Sequence, residues 1–336
     1  METLIKSKQR RRLLTAGAGG ALLSLVPHVR AQGAYPVRPI KIVSVTSPGT
    51  VVDDYTRLLA KHVGQKLGQS VIVENRPGGN LIIGTDYVAK SAPDGYTLLL
   101  TSSSSMSANP YLFKQLPYNP DKDFAPVARL ASVSLVLVVP GTSPYKSIAE
   151  LVAAGRAKPG SLNFGAVSTG YRVMGSAFSR SAGMQVVDVP YKGAAGLITD
   201  LIGGQVDYSI VEFSSVLAHI RAGKLRALAM VTPKRVAMLD TVPTLAEAGL
   251  QDAATVEGLS RINWFGLFAP AGTPQAVIDK LSRLSLEFVN SPEAMAHYNG
   301  RGSLPSPGTP AELAKAVADD QRLWQRMIAA AGMQPE

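Results

Sequence analysis

From Ile40 to Ala331, short apolar runs of strand length alternate with stretches in which apolar residues recur at helical spacing. Ile40 to Val45 predicts a strand, and Tyr55, Leu58, Leu59, Val63 and Leu67 predict a helix over 53–67. Val71 to Val73 and Tyr96 to Thr101 predict two more strands, with a helix over 85–91 between them. Val133 to Val139 is long, apolar and β-branched, and reads as one buried strand. Ser147 stands three residues before Glu150, a capping-box spacing that opens a helix over 147–157. The alternation then repeats. Strands are predicted at 162–166, 186–189, 206–211 and 225–231, with helices at 173–182, 194–202 and 215–222. A turn-rich stretch follows Thr232, then a strand over 263–269 and a helical tail over 275–290, 292–298 and 309–331. Apolar strands alternating with helices predict an α/β fold whose sheet is mostly parallel and covered on both faces. Ligands of such sheets bind beyond the carboxyl ends of the strands.

The first thirty residues follow a different logic. A basic stretch, Lys6 to Arg12, precedes the apolar run Leu13 to Val26, and Val29-Arg30-Ala31 places small residues at a cleavage site. The apolar run has 14 residues, whereas a membrane span needs about 20. Residues 1–31 are therefore expected to be an export signal peptide cleaved near Ala31, which places the mature chain in the periplasm. The paired arginines before Leu13 point to the twin-arginine route, with an ordinary Sec signal as the other reading.

Charge changes the picture little. The net charge is +10, but residues 1–31 hold six of the basic residues and one acid; without them 28 basic residues face 23 acidic ones. No stripe of Lys and Arg interleaved with aromatics follows, so no nucleic-acid partner is expected. Cysteine is absent, which excludes a disulfide framework, thiolate metal sites and a cysteine nucleophile. At 336 residues and 46% hydrophobic, the chain is long enough for one large domain or two medium ones.

The main catalytic vocabularies are missing. No GxxxxGK[ST], no GxGxxG after a strand, no GxSxG and no HExxH occurs. After the signal segment the histidines are His62, His219 and His297, the first two on helical patterns, and the carboxylates are scattered. The chain is accordingly expected to be no enzyme and to hold no metal and no cofactor. Three loops after strands are rich in Ser, Thr and Gly instead: Thr46 to Thr50, Thr101 to Ser107, and Ser168 to Gly170. Hydroxyls and backbone N–H groups at helix starts form an anion-binding surface, although helix capping is the commoner use of Ser and Thr.

Ordered motifs carry a family resemblance. They include Val73-Glu74-Asn75-Arg76-Pro77-Gly78, Ala92-Pro93-Asp94-Gly95-Tyr96-Thr97-Leu98-Leu99, Val189-Pro190-Tyr191-Lys192-Gly193 and Gly203-Gly204-Gln205-Val206-Asp207. Ala222-Gly223-Lys224-Leu225-Arg226-Ala227, Val242-Pro243-Thr244 and Trp264-Phe265-Gly266-Leu267 with Ala269-Pro270-Ala271-Gly272-Thr273-Pro274 follow in order. With these the chain resembles the periplasmic substrate-binding proteins of tripartite tricarboxylate transporters, the Bug family. The resemblance implies a two-domain type II periplasmic-binding-protein fold, each domain a mostly parallel sheet flanked by helices, with a ligand cleft between them. It implies capture of a small carboxylate for a permease with a large and a small membrane subunit, by a monomer. The alternative is a sensor that presents ligand to a signalling partner without transport. By analogy, domain 1 spans 35–134 plus 233–336 and domain 2 spans 135–232, with crossings in the Val133 to Val139 strand and after Val231.

Departures from the family pattern fall in the loops expected to bind ligand. Thr46 and Thr50 stand where relatives commonly have Phe and Gly, alongside Ser47 and Asp53, the last expected to cap a helix. Ser103, Ser104 and Ser105 replace an Asn-Gly-Thr type of sequence. Ser168, Thr169, Gly170, Tyr171 and Arg172 stand where Gly-Thr-x-x-His is common, and Arg172 brings a bidentate fork for a carboxylate. The loop Val211-Glu212-Phe213-Ser214 stands where a Phe-Asp-Asn sequence is frequent. Glu212 is expected either to bind a ligand amine or to pair with Arg172. Tyr171 and Phe213 are expected to flank an aromatic ring, and Trp264 to pack in the core or at a hinge.

Overall fold

The computed structural model describes residues 35–250 and 252–335; the expected signal peptide and its cleavage site lie outside them. Tyr35–Val37 contain a cis peptide bond between Tyr35 and Pro36. A compact unit begins at Arg38 and contains both sheets of the molecule.

The first sheet has six strands in the order β11-β4-β10-β3-β1-β2. These are β1 (Ile40–Ser44), β2 (Val71–Asn75), β3 (Thr97–Ser102), β4 (Phe124–Val133), β10 (Trp264–Pro270) and β11 (Ser303–Gly308). β1 pairs in parallel with β2 and β3, and β10 runs antiparallel to β3 and β4. The parallel pairs are joined by helices, α1 (Val51–Leu67) and α2 (Ile82–Ala89), as parallel connections require. The second sheet has five strands in the order β7-β6-β8-β5-β9. They are β5 (Leu135–Pro140), β6 (Leu162–Ala166), β7 (Val186–Pro190), β8 (Tyr208–Glu212) and β9 (Leu225–Val231). Here only β5 is reversed, pairing antiparallel with β8 and β9. Both sheets are thus mixed, with most strands pointing one way.

The run Val133 to Val139 is not one strand. β4 ends at Val133 and β5 begins at Leu135, so the chain passes from one sheet to the other at buried Ser134. Phe213 N–H donates to the Ser134 carbonyl and fastens this crossing to β8. All of the run but Val133 and Ser134 belongs to β5, which is fully buried between β8 and β9 and is therefore apolar. β11 reads Ser-Leu-Pro-Ser-Pro-Gly and was not predicted; an edge strand tolerates proline because one row of its N–H groups has no partner strand.

Helices cover the sheets: α4 (Ile148–Ala157), α5 (Thr169–Ser181), α6 (Ala194–Ile202), α7 (Phe213–Arg221) and α8 (Ala253–Arg261), then α9 (Gln275–Val289) and α10 (Pro292–Arg301). The last helix, α11 (Pro310–Ala331), opens with a full capping box between Thr309 and Glu312. Its 22 residues make it about 33 Å long, enough to touch both sheets' cores. Leu313 and Val317 share a core with Trp264 and Phe268, while Leu323, Trp324, Met327 and Ile328 share one with Phe164 and Met174. Ser147 accepts from Glu150 N–H as expected, but the Glu150 carboxylate takes the Lys146 N–H one residue earlier than a strict capping box.

Candidate functional site

A cavity of about 230 Å³ lies between the two sheets. It is lined by loops at the carboxyl ends of β1, β3, β6 and β8, the positions that the fold class predicts.

The loop after β1 is held by hydroxyls. Thr50 caps α1 by accepting from Asp53 N–H at 3.2 Å and donates to Thr46 Oγ1 at 3.0 Å. Ser44 Oγ lies 3.1 Å from the same Thr46 oxygen. Asn75 Nδ2 donates to the Thr46 carbonyl at 3.0 Å and to Asp53 Oδ1 at 2.7 Å. Thr46 and Val52 face the cavity. Asp53 is buried, which raises its carboxyl, yet bonds from Asn75, the Gly49 N–H and Arg57 outweigh this and hold it below its ordinary value. Asp53 thus shapes the loop without facing the cavity.

After β3 the chain forms a π-helical turn over Ser104–Ala108 and then the short helix α3 (Asn109–Leu112). Such turns recur at functional sites. Ser102, Ser103, Ser104, Ala108, Asn109 and Leu112 line the cavity. Ser103 donates to the Ile262 carbonyl, and buried Ser105 shares a 2.7 Å bond with Thr101. Asn109 Nδ2 donates to the Asn80 carbonyl at 2.9 Å. Asn80 and Leu81, both cavity residues, have φ of 49° and 71°. Left-handed backbone at two successive non-glycine residues is strained, and strain of this kind clusters at functional sites. It also sets the limit of α2, which starts at Ile82 rather than Thr85 and cannot reach further back, because Asn80 and Leu81 are left-handed.

From the second sheet, Ser168 caps α5, and Gly170 and Tyr171 follow in its first turn. Glu212 ends β8 and stands at the N-cap of α7 with no loop between them. Tyr171 donates to the Glu212 carboxylate. Glu212 opens onto the cavity, while desolvation by the surrounding protein raises its carboxyl above the usual range and the Tyr171 hydrogen bond offsets part of this. The floor is made by Val133, Leu135, Asn263, Trp264 and Phe265. Trp264 is 1% exposed and its indole N–H is taken by Asp320, which fits its expected packing role.

Thr46, Ser103, Ser104, Ser168, Gly170, Tyr171 and Glu212 are therefore brought together. Ser47, Thr50, Asp53, Ser105 and Thr169 are outside the lining, as supports or neighbours of it. Two expectations are corrected. Arg172 pairs with Asp188 rather than Glu212 and lines a separate cavity of about 500 Å³ on the flank of the second sheet, with Arg180, Met184 and Met333. One residue along a helix turns the side chain by about 100°, and here that step takes Arg172 from the cavity that Tyr171 lines to the flank where Asp188 lies. Phe213 is fully buried in the core with Val211 and Val216, so it flanks no ligand ring. Asn80, Asn109 and Asn263 were missed; only the tight-turn signal Gly78-Gly79-Asn80 pointed toward one of them.

Three helices of eight residues or more, α1, α5 and α7, present their N-termini at this cavity. Their first-turn N–H groups lack intrahelical acceptors and carry partial positive charge. No Lys, Arg or His occurs among the described lining residues, and the described residues hold no cluster that could bind a metal ion. No helix among them is long and apolar enough to cross a membrane.

The chain is 35% identical over 301 residues to protein BugT of Bordetella pertussis, covering 89% of this chain and 90% of that protein. It superposes with a TM-score of 0.78 on the R. palustris protein Rpa4515 with adipate, at 30% identity, covering 90% of this chain and all of the other. MatC from Rhodopseudomonas palustris with bound malate follows at a TM-score of 0.73 and 28% identity, covering 88% of this chain and all of the other. Residues 55–333 match the family described as the tripartite tricarboxylate transporter family receptor, and the chain belongs to that family.

Proposed function

We propose that this protein is an extracytoplasmic receptor that captures a small carboxylate between its two sheets and delivers it to a tripartite tricarboxylate-type permease. The observation that carries this reading is the convergence of three helix N-termini on one small cavity with no cationic side chain among its described lining residues. Oriented N–H groups and hydroxyls bind a carboxylate without a counter-charge. Adipate and malate in two solved relatives support the ligand class. The reading includes periplasmic location after loss of residues 1–31, a monomeric receptor, and partners in the large and small membrane subunits. It also includes two closing bodies, 35–134 with 233–336 and 135–232, and no catalysis.

A thermal-shift screen of ligand-free protein tests it, with aliphatic di- and tricarboxylates, amino acids and aromatic acids. A ligand at a hundred times its dissociation constant stabilises by about 2.7 kcal/mol. A carboxylate hit that is lost with Ser168→Ala or Thr46→Ala supports the reading. Absence of any carboxylate hit overturns it.

A further inference from the structure

The cavity has one charged side chain among its described lining residues, and it is acidic. Glu212 stands at the N-cap of α7 but makes no cap hydrogen bond there. Glu212 lines the cavity, its carboxylate held by the Tyr171 hydroxyl and desolvated by the protein around it. A carboxylate has about four lone-pair sites, so one phenol leaves most of them open. Arg172, next to Tyr171 in sequence, is engaged by Asp188 and lines another cavity.

An acid in such a setting selects its ligand by charge. A dicarboxylate that filled the cavity would bring a second carboxylate against Glu212 with no cationic side chain between them, and like charges in a partly enclosed site repel strongly. A single carboxylate has a place elsewhere, at the N-termini of α1 and α5, beside Thr46 and Ser168. We infer that the ligand is a small zwitterion, its carboxylate at the α1 and α5 N-termini and its protonated amine on Glu212. This rests on the carboxylate-receptor reading and narrows its ligand class. Tyr171 acts as a positioning residue that keeps the Glu212 carboxylate turned into the cavity. Burial disfavours the ionised carboxylate, and a ligand ammonium restores it, so the amine gains more here than at an open surface.

Calorimetric titration of the ligand-free protein decides between the alternatives. The probes are three chain-length-matched series: straight-chain dicarboxylates, α- and ω-amino carboxylates, and monocarboxylates without an amine. An amino carboxylate should bind at least about tenfold more tightly than its two counterparts, as a charge-assisted bond requires. Glu212→Gln should bring it within about threefold of the monocarboxylate. Tyr171→Phe, which keeps the ring, should reduce the preference in part and serves should the first variant not fold. A dicarboxylate that matches the amino carboxylate overturns the zwitterion, a preference that survives Glu212→Gln overturns the placing of its amine on Glu212, and either leaves the receptor reading standing. Binding by none of the series overturns both.

Discussion

The indole N–H of Trp264 donates to the Asp320 carboxylate at 2.6 Å, tying the floor of the cavity to the helix whose two ends pack in different cores. Arg261 lies 3.6 Å from the same carboxylate. Burial nevertheless dominates and pushes Asp320 up from 3.8 to about 6, with Trp264 and Arg261 offsetting part of the shift.

This pair predicts a pH signature. The folded value lies above the unfolded one, so the folded chain holds the proton more tightly, and Asp320's contribution to stability falls as pH rises from about 4 to about 6. The loss amounts to about 3 kcal/mol at 1.36 kcal/mol per unit. Asp320→Asn keeps an acceptor for the indole and removes the titration. Stability of the variant minus that of the native protein should rise by about 2–3 kcal/mol across that window. Urea denaturation at successive pH values measures it, and a flat difference rules the assignment out.

Gly302 has φ of 66° and follows α10; a Cβ there would collide with the Phe213 ring. Gly302→Ala should cost about 2–4 kcal/mol, adding overpacking to left-handed strain. Because Phe213 adjoins Glu212, ligand affinity should fall as well. Gly49→Ala is the control: φ is 80° but nothing lies within 4 Å, so only backbone strain of about 1 kcal/mol is expected. Equal losses in the two variants, by chemical denaturation, would show that the ring contact contributes nothing.

Asn109 is 1% exposed and bonds both the Asn80 carbonyl and, at 3.2 Å, the Tyr118 hydroxyl. Asn109→Ala should destabilise by about 1–3 kcal/mol and weaken ligand binding, because the strained Asn80–Leu81 turn loses its anchor. Denaturation and titration of the same preparation should show both effects together. Lost stability with unchanged affinity would remove this turn from the site.

Arg172→Ala removes the Asp188 ion pair, which is about one-third exposed on each side. Such pairs contribute about 0–1 kcal/mol. Ligand affinity should stay within about twofold, because Arg172 does not reach the cavity. A tenfold loss would return Arg172 to the site.

Local signals were legible where one interaction sets the element. Leu98, Leu99 and Leu100 are buried in β3, and the helix expected over 309–331 is α11, Pro310–Ala331. They failed where a neighbour decides. α7 begins at Phe213 rather than Ser215 because β8 runs straight into it. The proline-rich β11 exists because β4 offers a free edge.

By itself the sequence determined the alternation of strands and helices, the family, and the clustering of hydroxyls and glycines after β1, β3 and β6, since periodicity, caps and turn residues act over a few positions. The tertiary structure alone decided that Tyr171 turns to the cavity while Arg172 turns to Asp188, and that Glu212 stays open while Phe213 is buried against Gly302. Adjacent residues differ there only in the direction they point, and direction is fixed by what packs on each face.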